Sequence, residues 1–243
     1  MRPGSVARTV AVALATLAMS ALCVRLGFWQ WRSWLATEAA WTRFARGADA
    51  VQPLGARRLA DVPLYQRVSL AGRLDDAHQF LLDNRSHRGN PGYEVLTPLT
   101  RDGAPALLVD RGWVPFTGSR ARLPQVPVTQ SAPLNLSGRV ADLPSAGLAS
   151  GRAAPAPGEP WPKVTSFPTP AELADALGAP LEKRILLLDP AAPAGFVRDW
   201  QPPGMSPLRH LSYAIQWWCF AALALILAAV LGVRRARAAR TAR

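Results

Sequence analysis

RHLSYAIQWWCFAALALILAAVLGVRR runs from Arg209 to Arg235, and the fold turns on how it is read. Leu211 to Val233 holds 23 residues without a formal charge. At roughly 1.5 Å of rise per residue, a helix of that length crosses an apolar slab of about 30 Å. Arg234, Arg235, Arg237, Arg240 and Arg243 follow at once, and cations beside a span mark its cytoplasmic end. The entrance is different: His210 stands there, followed by Tyr213, Gln216, Trp217 and Trp218.

A partner segment lies near the N-terminus. Val10 to Val24 is apolar, Arg25 interrupts, and Leu26 to Trp31 resumes. Read whole, Thr9 to Trp31 spans, with Arg25 snorkelling outward and Trp29 and Trp31 at headgroup level. The competing reading is a cleaved signal peptide, because Arg2 and Arg8 precede a short apolar core. The continuation LGFWQW favours an uncleaved anchor. A lipoprotein site at Cys23 is disfavoured, because Leu22 stands where a small residue is needed.

Two spans put both termini on one side. Residues 1–8 and the basic tail 234–243 are then cytoplasmic, the spans are 9–31 and 211–233, and 32–208 lies outside. Only eight residues precede the first apolar run, too few for an amphipathic transit peptide, so a bacterial inner membrane with a periplasmic domain is expected. The net charge of +12 therefore speaks for a lipid bilayer rather than nucleic acid, since no nucleic-acid-binding motif accompanies it.

Between the spans, Ser33 to Arg46 has helical periodicity in Trp34, Ala40, Trp41 and Phe44. Six short apolar runs then read as strands: 67–74, 79–82, 93–99, 106–114, 134–140 and 184–188. Asn90-Pro91-Gly92 suits a type II turn between the second and third. TPAELADALG predicts a short helix with Thr169 as N-cap, Pro170 first, Glu172 completing a capping box and Gly178 ending it. Residues 144–160, rich in proline, glycine and alanine, read as a mobile loop. The expected class is a membrane protein of α+β type. Two transmembrane helices flank a compact β-rich extracytoplasmic domain, either an antiparallel sheet or a partly closed barrel with short helices.

Hydrolytic chemistry finds little support. Asp83, Ser86 and His87 lie side by side in sequence, and no strained nucleophile turn is present. LLDNR and LVDRGW each place an aspartate and an arginine at a strand end, so Asp83, Arg85, Asp110 and Arg111 are expected to pair or hold loops. Arg85 and Arg111 could also form an outward binding surface. His78 and His87 lack an evident third metal ligand. Cys23 and Cys219 fall at similar depth in the two spans, where a copper or redox pair would need them; packing is the plainer reading.

On a helix, His210, Tyr213, Trp217 and Ala221 form a stripe, which Trp29, Leu26 and Arg25 could face. Such a stripe has the parts of a haem pocket: an imidazole for iron, flat rings for the macrocycle, and Arg25 or Arg209 for propionates. An interfacial belt of His, Tyr and Trp would have the same composition.

Taken in order, LGFWQWR, LLDNR, GNPGYEVLTPL, VDRGWVP and HLSYAIQWWCFA resemble the Surfeit-locus-protein-1 family over Leu26 to Ala221. Members are assembly factors of cytochrome c oxidase in bacterial and mitochondrial inner membranes. The resemblance implies no enzymatic activity, a role in maturing oxidase subunit I, and binding of haem a; it allows haem a synthase as a further partner. It implies His210 as the proposed ligand of the haem iron, in agreement with the stripe that places Tyr213, Trp217, Arg25 and Trp29 around it. Gly92, Tyr93, Arg111, Gly112 and Trp113 match family elements expected to shape a docking sheet. The alternative within the same resemblance is a cofactor-free scaffold that steadies oxidase intermediates.

Overall fold

A computed structural model describes residues 3–46, 50–128, 132–145 and 151–241. The chain divides into a helical unit, 1–41 with 204–243, and a β-rich unit, 42–203.

Two helices make the helical unit: α1, Pro3–Arg46, and α3, Pro207–Thr241. Both are long and apolar enough to cross a membrane, and both overrun the uncharged windows of the sequence. Proline opens α3, where its missing N–H costs nothing. The exposure pattern is inverted relative to a water-soluble pair. Leu14, Leu17 and Leu22 on α1, and Leu223, Ile226 and Leu231 on α3, are exposed. Ser20, Cys23, Gly27 and Gln30 are buried on α1, facing inward with Ala214 and Ala221 of α3. Helices solvated by lipid pack in this way, with small and polar residues at the contact and large apolar ones outside.

The spacing of the seam is that of a helix pair. On α1 it reads 16, 20, 23, 27, 30; on α3 it reads 210, 214, 217, 221, 224. Alternating steps of four and three keep one stripe facing its partner. Trp218 lies over Gly27 and its ring meets Phe28 at 5.5 Å and Trp31 at 5.9 Å. A later residue of α1, Gln30, meets an earlier residue of α3, His210, so the helices run antiparallel.

Among the described residues the β-rich unit holds eight strands: β1 Val51–Pro53, β2 Arg67–Leu74, β3 Phe80–His87, β4 Asn90–Thr100, β5 Ala106–Pro115, β6 Leu134–Ala141, β7 Lys163–Thr165 and β8 Leu181–Leu188. They pair in the order β1-β2-β6-β8-β5-β4-β3-β7, and β2 also pairs with β4. That extra pairing, Arg73 with Thr100 and Leu74 with Leu99, closes β2, β6, β8, β5 and β4 into a ring. The partly closed barrel is therefore the form adopted. It is mixed: β1–β2, β3–β7 and β5–β8 are parallel. Parallel neighbours are distant in sequence and leave no hairpin signal.

Strand alternation builds the interior. Val68, Leu70, Leu136, Val140, Leu186 and Leu188 belong to one buried cluster inside the ring. The opposite sheet face buries Phe80, Leu82, Leu96 and Leu108 beneath Leu173 of the short helix α2, Pro170–Leu177. That helix is capped as the sequence predicts. Thr169 accepts from the Glu172 amide, the Glu172 carboxylate accepts from the Thr169 amide, and Gly178 ends it at φ 70°. The last turn of α1 belongs to this unit, where Arg139 donates to the Phe44 carbonyl and stacks on its ring at 4.1 Å.

One turn differs from expectation. Asn90, Pro91 and Gly92 already lie in β4, and His87 pairs with Asn90. The hairpin turns instead at Arg88 and Gly89, with φ of 50° and 82°. Positive φ at both central residues matches the right-handed twist of the strands, which a type II turn does not. Of the predicted loop 144–160, residues 146–150 lie outside the described residues. Beyond them Ala153 pairs with Ser166 through two backbone hydrogen bonds, and the Lys163 ammonium donates to the Ala156 carbonyl.

A methyl group on Gly27 would sit 2.5 Å from Trp218 Cδ1, well inside contact distance. Gly27→Ala should therefore spread the helices and cost about 1–3 kcal/mol. Unfolding of the detergent-solubilised protein, followed by tryptophan fluorescence, measures it.

Candidate functional site

The site begins where α1 and α3 meet near the start of α3. Gln30 sits on the buried seam of α1, only 9% exposed. An amide in an apolar seam needs a partner, because an unpaired polar group in hydrocarbon is costly. It finds one in His210: the imidazole Nδ1 lies 2.8 Å from Gln30 Oε1. His210 itself is half-buried, in the first turns of α3.

The other residues of the proposed stripe take different places. Trp217 is half-buried, its ring 6.0 Å from that of Phe220. Tyr213 is 42% exposed and Trp29 is 59% exposed, so both present rings away from the seam. Arg25 and Arg209 are exposed. The position after Tyr213 is the buried one: Ala214 is fully buried. A step of four from His210 faces α1, and a step of three does not. Cys23 is buried in the seam whereas Cys219 is exposed, so the structure does not bring the two thiols together. Among the described residues, no group of three or more His, Cys, Asp or Glu gathers as a metal site.

The sequence assigned no role to Gln30, Gly27 or Trp218. The signal was present in LGFWQW: a glycine and an amide three residues apart, inside a segment that must face lipid or another helix.

The β-rich unit has a second polar centre, built around Arg111 on β5. Leu107, Val109 and Arg111 share one face by the period of two, and the guanidinium follows the leucine and valine inward. Arg111 is buried and does not form an outward surface. Its Nε donates to the Ala194 carbonyl at 2.6 Å, and one terminal nitrogen donates to Gln79 Oε1 and the Val126 carbonyl, both at 3.0 Å. The other donates to the Pro127 carbonyl at 2.8 Å, and the group stacks on Phe196 at 4.8 Å. Burial lowers its pKa to about 10, opposed by the charge of Asp76. Gly112, at φ 111°, turns the backbone just after it, and its amide donates to Asp110 Oδ1 at 3.0 Å.

Asp110 points to the opposite face and is buried too. Its neighbours are Glu94 on β4 and Arg85 on β3, which form an ion pair at 3.1 Å. Burial, then the negative charge of Glu94, pushes the Asp110 carboxyl well above its ordinary range; the Gly112 amide and Arg85 oppose this. Burial also raises Glu94, against the pull of Arg85. The expected local aspartate–arginine pairs are thus rearranged. Asp83 binds Arg120, Arg85 binds Glu94, and His87 packs its ring against Trp113 at 5.4 Å. His78 pairs with Asp75 at 2.7 Å.

Two predictions follow from the barrel. Arg111→Met would strand the carbonyls of Pro127 and Ala194, while Gln79 Oε1 keeps the Thr97 hydroxyl and the Val126 carbonyl keeps the Gln79 amide, at a cost of about 1–3 kcal/mol for each stranded carbonyl, read by urea unfolding. A carboxyl that binds its proton more tightly when folded favours folding while protonated. Stability contributed by Asp110 is therefore complete below the ordinary aspartate range and is lost as pH rises through the raised folded value. Asp110→Asn should flatten that decline in a pH series of melting temperatures.

The comparisons with known proteins point one way. The sequence model of the SURF1 family matches residues 17–222, which takes in the whole barrel and the seam from Ser20 to Gln30 and from His210 to Ala221. SURF1-like proteins of Mycobacterium bovis and Mycobacterium tuberculosis are 32% identical to the chain over 161 residues, 66% of its length. That match spans 57% of the length of these relatives.

Proposed function

The chain belongs to the SURF1 family, and from that premise we propose that it is an assembly factor for cytochrome c oxidase that carries haem a as cargo for subunit I. The Arg-rich tail after α3 supports an orientation with both termini in the cytoplasm and the barrel in the periplasm of a bacterial inner membrane. The seam mouth, with His210, then lies at the outer leaflet. The β-rich unit serves as the docking body.

The observation that carries the haem reading is His210. It is a half-buried imidazole with one nitrogen held by a buried amide, one turn from an exposed tyrosine. These residues fit the group. The imidazole supplies a nitrogen donor, Trp29 and Tyr213 offer flat faces, and the exposed guanidinium groups of Arg25 and Arg209 suit carboxylates. Haem brings an iron with open axial positions and two propionates. The chain contributes a ligand, apolar cover and counter-charges. One protein-borne ligand also suits transfer, because a group held at a single axial position leaves more readily than one held at two.

The test is the visible spectrum of detergent-purified protein from cells that make haem a. Wild type should show a Soret band, and His210→Ala should lose most of it. An equal band in the variant would remove His210 as the ligand. No band in either protein, with oxidase still assembled by both, would favour the cofactor-free scaffold.

A further inference from the structure

We propose that Gln30 is the positioning residue of His210: its amide carbonyl selects the imidazole tautomer that presents Nε2, and its neutrality keeps the donor weak enough to let the cargo go. The release clause rests on the haem reading above; the tautomer clause does not.

The argument starts from the atoms. Gln30 Oε1 is a carbonyl oxygen and only accepts hydrogen bonds. His210 Nδ1, 2.8 Å away, must then be the donor and carry the proton. The remaining nitrogen, Nε2, is left with its lone pair, which is the form that binds a metal. The pair is locked from the α1 side. Gln30 is buried in the seam, and Gly27, one turn below it, lies under the Trp218 ring with no room for a methyl group. The amide therefore sits on a helix held close to α3.

The kind of partner matters as much as its presence. A carboxylate hydrogen-bonded to the far nitrogen pulls on the proton and makes the metal-binding nitrogen a stronger donor. A carboxylate would also place a charge in the apolar seam. An amide fixes the same tautomer with less donation and no charge. For a protein that must pass its cargo on, orientation without tight binding is the useful combination.

Full-length protein with ¹⁵N-labelled histidine, free of haem, is placed in detergent and the His210 ring nitrogens are assigned by difference from His210→Ala. The wild type should show Nδ1 protonated and Nε2 bare. Gln30→Ala should move the ring toward the Nε2–H form that free imidazole prefers. Titration with haem a gives the second readout. Gln30→Ala should bind about 10–100-fold more weakly, while Gln30→Glu should bind more tightly than wild type, release more slowly and show a shifted Soret band. A wild-type ring protonated at Nε2 would overturn the proposal without any variant. So would Gln30→Ala and Gln30→Glu proteins that bind and absorb as wild type does. If the tautomer is as stated but His210→Ala binds haem a unchanged, the haem site fails and the release clause with it, while the positioning of His210 by Gln30 stands.

Discussion

The close approach of two helices at Gly27 is the constraint on which the rest of the helical unit depends. Lipid tails give no hydrophobic push between helices, so association relies on packing and hydrogen bonding. Ser20, Cys23 and Gly27 on α1 and Ala214 and Ala221 on α3 remove side-chain bulk from the seam. Trp218 fills the space over Gly27. Only then does the Gln30 amide reach His210. Packing thus comes first, and the polar pair is satisfied because of it. The pair in turn fixes an imidazole that would otherwise rotate at a lipid boundary.

The β-rich unit solves a related problem differently. A five-strand ring leaves little room, and its interior is mostly leucine and valine. Arg111 is buried there with carbonyl and amide oxygens rather than a carboxylate as its hydrogen-bond acceptors. Those oxygens belong to Gln79 before β3, to Val126 and Pro127 after β5, and to Ala194 after β8. One side chain therefore ties together segments that the strand ladder does not. On the other sheet face the acids gather: Asp110 with Glu94, partnered by Arg85. The arginine–glycine–tryptophan run sends its arginine into the core and lays its tryptophan near His87. Its arginine holds loops to the sheet rather than presenting an outward charge.

Much of the fold was legible because local signals act alone. The capping box at Thr169 and Glu172 needs no partner, and it appears as read. Short apolar runs located the six longer strands. Three-residue strands such as Val51–Pro53 and Lys163–Thr165 carry no period and are set by their neighbours' open edges. The turn at Arg88 was hidden by the stronger turn look of Asn90-Pro91-Gly92. Which face of α3 meets α1 was not legible either. Tyr213 and Ala214 both continue a stripe from His210, and only the partner helix decides between them. Arg111 was a missed clue of another kind. It occupies an inward slot after Leu107 and Val109, and a cation in such a slot announces a buried network.

The measurement closest to the central claim is a double-mutant cycle between Gln30→Ala and His210→Ala, read as unfolding free energy in one detergent. If the two side chains meet in the seam, the double variant should depart from additivity by about 0.6–1.7 kcal/mol, the range of buried polar pairs between membrane helices. Strict additivity would mean that the amide and the imidazole do not touch, and the account of the seam mouth would be wrong.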